Sequence, residues 1–194
     1  MSPIEILGVA LCVVMLLLMI RENIWAWPVG LVDSTLYVYI FFTAKLYSDS
    51  LLQVVFCLIF AYGWWHWRRG KASDPVLPVT RMGAWTICAW IALGTTASVL
   101  WGEFMHRNTD AALPRLDAFI LVFSLIAQWW QAQKRLENWI SWILLDGIQI
   151  GMYWVKGLRL TSGLYALLLA MAVAGHLAWR KSLAESAAAR AAAG

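Results

Sequence analysis

Charged side chains are scarce in this sequence. Of its 194 residues only 13% are charged, with 15 lysines and arginines and 11 aspartates and glutamates, whereas 62% are hydrophobic. A soluble domain carries about 25% charged residues, so this composition excludes an ordinary soluble fold. The net charge of +4 comes from scattered basic residues that form no patch, and we therefore expect no nucleic-acid partner.

Paired cysteines and catalytic motifs are also absent. The three cysteines, Cys12, Cys57 and Cys88, lie inside apolar runs without pair spacing or a neighbouring histidine. This predicts no disulfide framework and no metal site. The sequence has no phosphate loop, nucleophile elbow or H-E-x-x-H motif. It therefore predicts no enzyme activity and no cofactor, and any transport must be passive, ion-coupled or driven by a partner.

What the sequence does contain is seven apolar runs of 17 to 23 residues, each long enough to cross a hydrocarbon core of about 30 Å. They predict an all-α integral membrane protein with seven transmembrane helices, forming one membrane domain over residues 1–194. The predicted spans are 4–20, 24–42, 49–67, 83–105, 114–133, 138–155 and 161–179. The alanine-rich end, residues 183–194, has no apolar stripe and is predicted to be disordered.

The basic residues predict the orientation of these spans. With the N-terminus outside, ten lysines and arginines lie on the inner side and five on the outer side. Cytoplasmic loops carry the excess of basic residues, so we expect the N-terminus outside and the C-terminus inside.

Two pairs of signatures suggest an internal repeat. E-N-x-x-x-W occurs at residues 22–27 and 137–142, and G-x-x-x-W-R at 63–68 and 175–180. The two signatures are 41 residues apart in the first copy and 38 in the second, which a three-residue indel would reconcile. The pattern predicts a parallel 3+1+3 arrangement, with repeat one at 4–67, a linker helix at 83–105 and repeat two at 114–179. Such repeats build transporters with a substrate site near mid-membrane. The alternative is chance, because the chain has 14 tryptophans.

The best candidate site lies on the sixth span, where polar residues step by 3, 4, 3 and 4 and so share one helix face. These residues are Trp139, Trp142, Asp146, Gln149 and Tyr153. A charge inside a membrane is costly and usually serves a substrate or ion path. The alternative for Asp146 is a structural hydrogen bond to a neighbouring helix.

Three further polar residues are candidates for the same site. Asp33 is the other acid deep in a span, with function and structure equally open, and Gln53 on the third span could face the cavity. Asn138 precedes the stripe of the sixth span. Seven other tryptophans near span ends fit an interfacial belt better than a ligand cage. They are Trp25, Trp65, Trp67, Trp101, Trp129, Trp130 and Trp179.

Three segments resemble the PnuC family of vitamin transporters. They are L-E-N-W-I-S-W at 136–142 with Asp146, Y-G-W-W-H-W at 62–67, and A-K-L-Y-S-D-S-L-L-Q at 44–53. The family's motif W-x-x-W-x-x-x-N/D matches Trp139, Trp142 and Asp146, its E-N pair matches Glu137 and Asn138, and its glutamine on the third helix matches Gln53. The resemblance covers residues 21–180.

The resemblance implies a seven-helix 3+1+3 fold like that of the sugar-transporting SWEET proteins. It also implies facilitated diffusion of nicotinamide riboside for NAD synthesis, with trapping through phosphorylation by a cytoplasmic riboside kinase. A homotrimer in the bacterial inner membrane is implied as well.

Other functions stay open from the residues alone. A thiamine transporter would use the same scaffold, because thiamine is also an aromatic cation that indole faces attract. A non-transporting membrane scaffold or receptor subunit would bury the stripe against other helices and leave no solute path. An intramembrane enzyme lacks a nucleophile–base pair or a metal set.

Overall fold

The computed structural model describes residues 3–43, 47–69, 77–109 and 113–192. Over these ranges the chain forms seven α-helices, as the apolar runs predicted. They are α1 (Pro3–Ile20), α2 (Ala26–Thr43), α3 (Tyr47–Arg68), α4 (Ala84–Asn108), α5 (Pro114–Ala132), α6 (Glu137–Val155) and α7 (Arg159–Ala192). Residues 44–46 of the segment A-K-L-Y-S-D-S-L-L-Q lie outside the described residues, and so does Lys71, one of the ten basic residues predicted on the inner side.

Among the described residues, three helices are long and apolar enough to cross a membrane by length and composition. They lie at Ser50–Arg68, Ala84–Asn108 and Arg159–Ala192, and a shorter apolar helix covers Ile6–Ile20. The prediction that residues 183–194 are disordered is wrong for residues 183–192, because α7 continues to Ala192. Alanine has the highest helix propensity of all residues, so this end stays helical without an apolar stripe.

Six helices form a closed ring. Along the chain α1 packs on α2, α2 on α3, α5 on α6 and α6 on α7, and the ring is closed by contacts of α3 with α5 and of α1 with α7. Helix α4 stands outside and, within the described ranges, contacts α5 but no other helix. The ring leaves a space in its centre.

The loops α1–α2 and α5–α6 have matching backbones. Glu22 and Lys134 both have φ of 54°. Glu22 N donates to Met19 O at 3.0 Å, and Lys134 N donates to Gln131 O at 3.0 Å. Each loop therefore turns in the same way between its two helices.

Four buried tryptophans join the ring helices at the end that carries these two loops. Their rings form a chain, with centroids 5.2 Å apart for Trp27 and Trp67, 5.9 Å for Trp67 and Trp179, and 5.4 Å for Trp179 and Trp139. Trp67 Nε1 donates to Ala132 O at 3.1 Å, and Trp179 Nε1 donates to Met19 O at 3.0 Å. These two bonds connect α3 to α5 and α7 to α1.

The predicted tryptophan belt is therefore wrong for three of its members. Trp67, Trp130 and Trp179 are buried inside the protein. The indole N–H groups of Trp67 and Trp179 hydrogen-bond to backbone carbonyls of other helices, which stabilises them inside the bundle. Three other members of the belt, Trp25, Trp65 and Trp101, are exposed, as an interfacial position requires.

Candidate functional site

The centre of the helix ring holds a cavity of about 330 Å³. All six ring helices line it, and α4 contributes no residue among those described. Six of the eight candidate residues lie on its wall. They are Asp33, Gln53, Trp139, Trp142, Asp146 and Gln149.

The stripe on α6 forms one side of this cavity. Trp139, Asp146 and Gln149 are buried, and Trp142 is half-buried. Position 146 lies about halfway along α6. The spacing of 3, 4 and 3 residues thus gives one face that carries two indoles, a carboxylate and an amide.

Asp33 faces the same cavity from α2. Its Oδ1 is buried and has no hydrogen-bond partner within the described residues. Two carboxylates therefore line one cavity, and its described wall contains no lysine, arginine or histidine. An unpaired buried carboxylate is costly, so this wall favours a positively charged occupant.

Two candidates, Asn138 and Tyr153, are not among the lining residues. Asn138 is fully buried at the start of α6, where its Nδ2 donates to Arg135 O at 2.5 Å and holds the α5–α6 loop. Tyr153 stacks on Tyr165 with ring centroids 5.2 Å apart. Tyr165 lines the cavity, so Tyr153 supports a wall residue from behind.

Sequence reasoning missed a polar stripe on α5. Ser124, Gln128 and Gln131 line the cavity, and both glutamines are buried. The Nε2 of each glutamine lacks a hydrogen-bond partner in the described part of the chain. These residues are spaced by 4 and 3, the same signal that marks the stripe on α6, and this spacing could have identified them. They add free amide donors to the same wall that carries the acids.

Comparison with known proteins identifies the family. A sequence profile described as "Nicotinamide mononucleotide transporter" matches residues 2–181. The chain belongs to the nicotinamide mononucleotide transporter family. The resemblance to PnuC is thereby confirmed, and the protein is a membrane transporter and not an enzyme.

Two known transporters are similar to this chain over most of their length. The riboflavin/roseoflavin transporter RibM of Streptomyces davaonensis is 29% identical over 182 residues, which cover 90% of this chain and 83% of RibM. The nicotinamide riboside transporter PnuC of Escherichia coli is 25% identical over 210 residues, with 95% of this chain and 88% of that protein covered.

The fold is also that of a solved family member. The crystal structure of the vitamin B3 transporter PnuC matches with a TM-score of 0.71 at 23% identity. The match covers 92% of this chain and 80% of that chain. The helix ring is thus the fold of a PnuC transporter.

Proposed function

We propose that this transporter imports nicotinamide riboside by facilitated diffusion. The observation that carries the proposal is the pair Asp33 and Asp146 on the wall of one cavity without a described basic residue. Nicotinamide riboside carries a pyridinium cation, so two carboxylates would attract it by charge. Its carboxamide and ribose hydroxyls need hydrogen-bond partners as well.

The remaining wall residues support this ligand chemistry. The ring faces of Trp139 and Trp142 can bind an aromatic cation. Such a cation–π interaction contributes about 2 kcal/mol to binding when the cation is desolvated. The amides of Gln53, Gln128 and Gln149 can pair with a carboxamide and with hydroxyls. Apart from Asn138 and Tyr153, the binding residues proposed from the sequence all line this cavity.

Riboflavin is the second candidate. The identity of 29% to RibM favours it. Riboflavin has no positive charge, however, and would leave both carboxylates without a cationic partner. Thiamine is an aromatic cation and satisfies the charge argument as nicotinamide riboside does. A non-transporting scaffold is disfavoured, because Gln53, Trp142 and Asp146 line a cavity rather than a packed interface.

We propose further that the helix ring consists of two parallel repeats joined by α4, as in the SWEET-like arrangement. The two repeats align when each residue of the first is matched with the residue 112 positions later. This alignment matches Trp27 with Trp139 and Gly63 with Gly175. In the first repeat Trp27 lies against Gly63, and in the second repeat Trp139 lies against Gly175 in the same way. Ser50 Oγ donates to Val38 O at 3.1 Å, and 112 residues later Ser162 Oγ donates to Ile150 O at 3.1 Å. This register needs no indel, so it is preferred to the alignment of the two E-N pairs.

The remaining proposals concern the cell. An N-terminus outside and a C-terminus inside follow from the excess of basic residues on the inner side. Trapping by a cytoplasmic riboside kinase and assembly as a homotrimer are carried over from the family resemblance. The need for a separate kinase fits a sequence without a phosphate-loop motif of its own.

A comparative titration tests the substrate. Purified protein is titrated with nicotinamide riboside, thiamine and riboflavin, and the same three compounds are assayed for uptake into proteoliposomes. We expect nicotinamide riboside to bind tightest and Trp142→Ala to weaken it at least tenfold, the equivalent of about 1.4 kcal/mol. Tighter binding of riboflavin or thiamine would overturn the substrate assignment.

A further inference from the structure

A second cavity lies outside the helix ring, between the start of α4 and the end of α5. Its volume is about 340 Å³, and the wall includes Arg81, Thr86, Trp90, Trp130 and Arg135. None of these residues lines the central cavity. The two spaces are therefore separate sites with separate chemistry.

Two guanidinium groups give this second cavity a positive charge. Neither Arg81 nor Arg135 forms an ion pair within the described ranges, although Arg135 Nη1 approaches Arg81 O at 3.4 Å. The neighbouring Glu137 accepts a hydrogen bond from Met82 N at 3.2 Å. Guanidinium groups match the oxygens of a phosphate in bidentate geometry, which makes a phosphate group the natural partner.

The backbone and one indole add hydrogen-bond donors at the same place. Helix α4 has 25 residues and begins after Gly83 without a side-chain cap. No described residue lies within 4 Å of the position that a Cβ of Gly83 would take, so this helix end is open toward the described part of the chain. Its free N–H groups and the helix dipole favour an anion. Trp130 is buried, and its Nε1 has no partner among the described residues.

The position of the cavity indicates which phosphate reaches it. Within the described residues α4 packs on no helix but α5, and the residues around the second cavity are separate from those around the central one, so this cavity lies outside the helix ring. Trp85 beside it is 90% exposed, which fits a headgroup-level indole. Arg81 and Arg135 also belong to the side that is predicted to be cytoplasmic. Basic pockets between helices on this side bind anionic lipid headgroups.

We propose that the groove of Arg81, Thr86 and Arg135 binds the phosphate of an anionic phospholipid headgroup. The guanidiniums bind the phosphate oxygens, and the α4 N-terminus supplies backbone donors. Trp90 and Trp130, with ring centroids 6.3 Å apart, line the groove beside the lipid. The site would anchor α4, which contacts only α5 among the described helices, against the membrane surface.

The test uses the full chain purified in a mild detergent. Phosphatidylglycerol, phosphatidylcholine and inorganic phosphate are added in turn, and bound lipid is counted by native mass spectrometry while the melting temperature is followed. We expect phosphatidylglycerol to bind and to raise the melting temperature, with little effect of phosphatidylcholine. R81Q/R135Q should weaken phosphatidylglycerol binding about tenfold or more, as expected for two cations near an anionic surface.

A matched control removes two arginines from the opposite end of α4 and α5. Arg107 and Arg115 both bind Glu103, at 2.8 and 3.2 Å, and R107Q/R115Q should leave phosphatidylglycerol binding unchanged. Equal binding of both lipids, or wild-type binding by R81Q/R135Q, would overturn the proposal. Equal stabilisation by inorganic phosphate would assign the groove to a free anion instead. A changed oligomeric state with unchanged lipid binding would assign it to a contact between copies of the chain.

Discussion

Lys134 Nζ lies 2.6 Å from Glu22 Oε2, and the lysine side chain is only 1% exposed. The pair joins the α5–α6 loop to the α1–α2 loop, at positions where both backbones have φ of 54°. Lys134 Nζ also donates to Leu77 O at 2.5 Å and lies 4.7 Å from the ring centroid of Trp67. One buried ammonium thus connects the two loops, the end of α3 and the segment before α4.

Removing this ion pair should destabilise the protein strongly. Glu22→Gln leaves the buried ammonium of Lys134 without a carboxylate, and breaking a buried pair costs about 3–5 kcal/mol. Glu22 is 20% exposed, so the lower end of this range is expected. Thermal unfolding of purified protein, followed by tryptophan fluorescence, measures the loss.

Lys181 provides the matched control. Its nitrogen lies 3.8 Å from Glu185, and both side chains are mostly exposed. Such surface pairs contribute about 0–1 kcal/mol, so Lys181→Gln should leave the melting temperature nearly unchanged. Equal melting temperatures for Glu22→Gln and Lys181→Gln would show that the buried pair does not hold the loops.

The seven helices and the face of α6 that lines the central cavity were predictable, because both depend on local periodicity in the sequence. A long apolar run predicts a helix that crosses a membrane, and steps of three and four residues place Trp139, Asp146 and Gln149 on one face. The same rule applied to α5 would have identified Gln128 and Gln131. It does not say which face meets the centre of the ring, since this depends on how the helices pack.

Burial of individual tryptophans was not predictable in the same way. An indole suits both the membrane interface and a buried site with an acceptor, and composition does not distinguish the two. The acceptor of Trp67 is 65 residues away and that of Trp179 is 160 residues away. Contacts at such separations follow from the tertiary structure, so the sequence alone favoured the commoner interfacial position.

Two glycines leave room for the buried indoles of the proposed repeats. A Cβ on Gly175 would lie 2.6 Å from the Trp139 ring, and a Cβ on Gly63 would clash with Trp27 in the same way. Because an indole is rigid, Gly63→Ala and Gly175→Ala should each cost about 1–3 kcal/mol, which chemical or thermal unfolding measures.

The control glycines lie in open space on α6 and α7. In the part of the chain that the structure describes, no atom lies within 4 Å of a Cβ on Gly151 or Gly163. Alanine at these two helical positions should instead raise stability by roughly 0.5–1 kcal/mol, since glycine loses more backbone entropy on folding. Similar effects at all four positions would contradict the packing of indole against glycine.

The two acids of the central cavity should select for ligand charge. Asp146→Asn and Asp33→Asn each remove one negative charge while keeping the side chain's size. A hydrogen bond or contact to a charged group contributes about 1.5–3 kcal/mol, so each variant should bind nicotinamide riboside roughly 10–100-fold more weakly. Binding of uncharged riboflavin should change little.

Asp117 supplies the control for this pair, because it lies at the start of α5 and outside the cavity wall. Asp117→Asn should leave all affinities unchanged in the same titration. If Asp146→Asn weakened riboflavin as much as nicotinamide riboside, the acid would act through packing or shape and not through charge.

The buried indoles of Trp67 and Trp179 should contribute to stability through both their N–H groups and their ring volume. Phenylalanine keeps an aromatic ring but leaves Ala132 O or Met19 O without its donor, at a cost of about 1–3 kcal/mol per buried group. We therefore expect Trp67→Phe and Trp179→Phe each to lower the unfolding temperature. Trp25 is 64% exposed, so Trp25→Phe should have an effect within about 0.5 kcal/mol. Equal melting temperatures for all three variants would contradict a stabilising role of the two buried indoles, whereas the expected difference would support their role in holding α3 to α5 and α7 to α1.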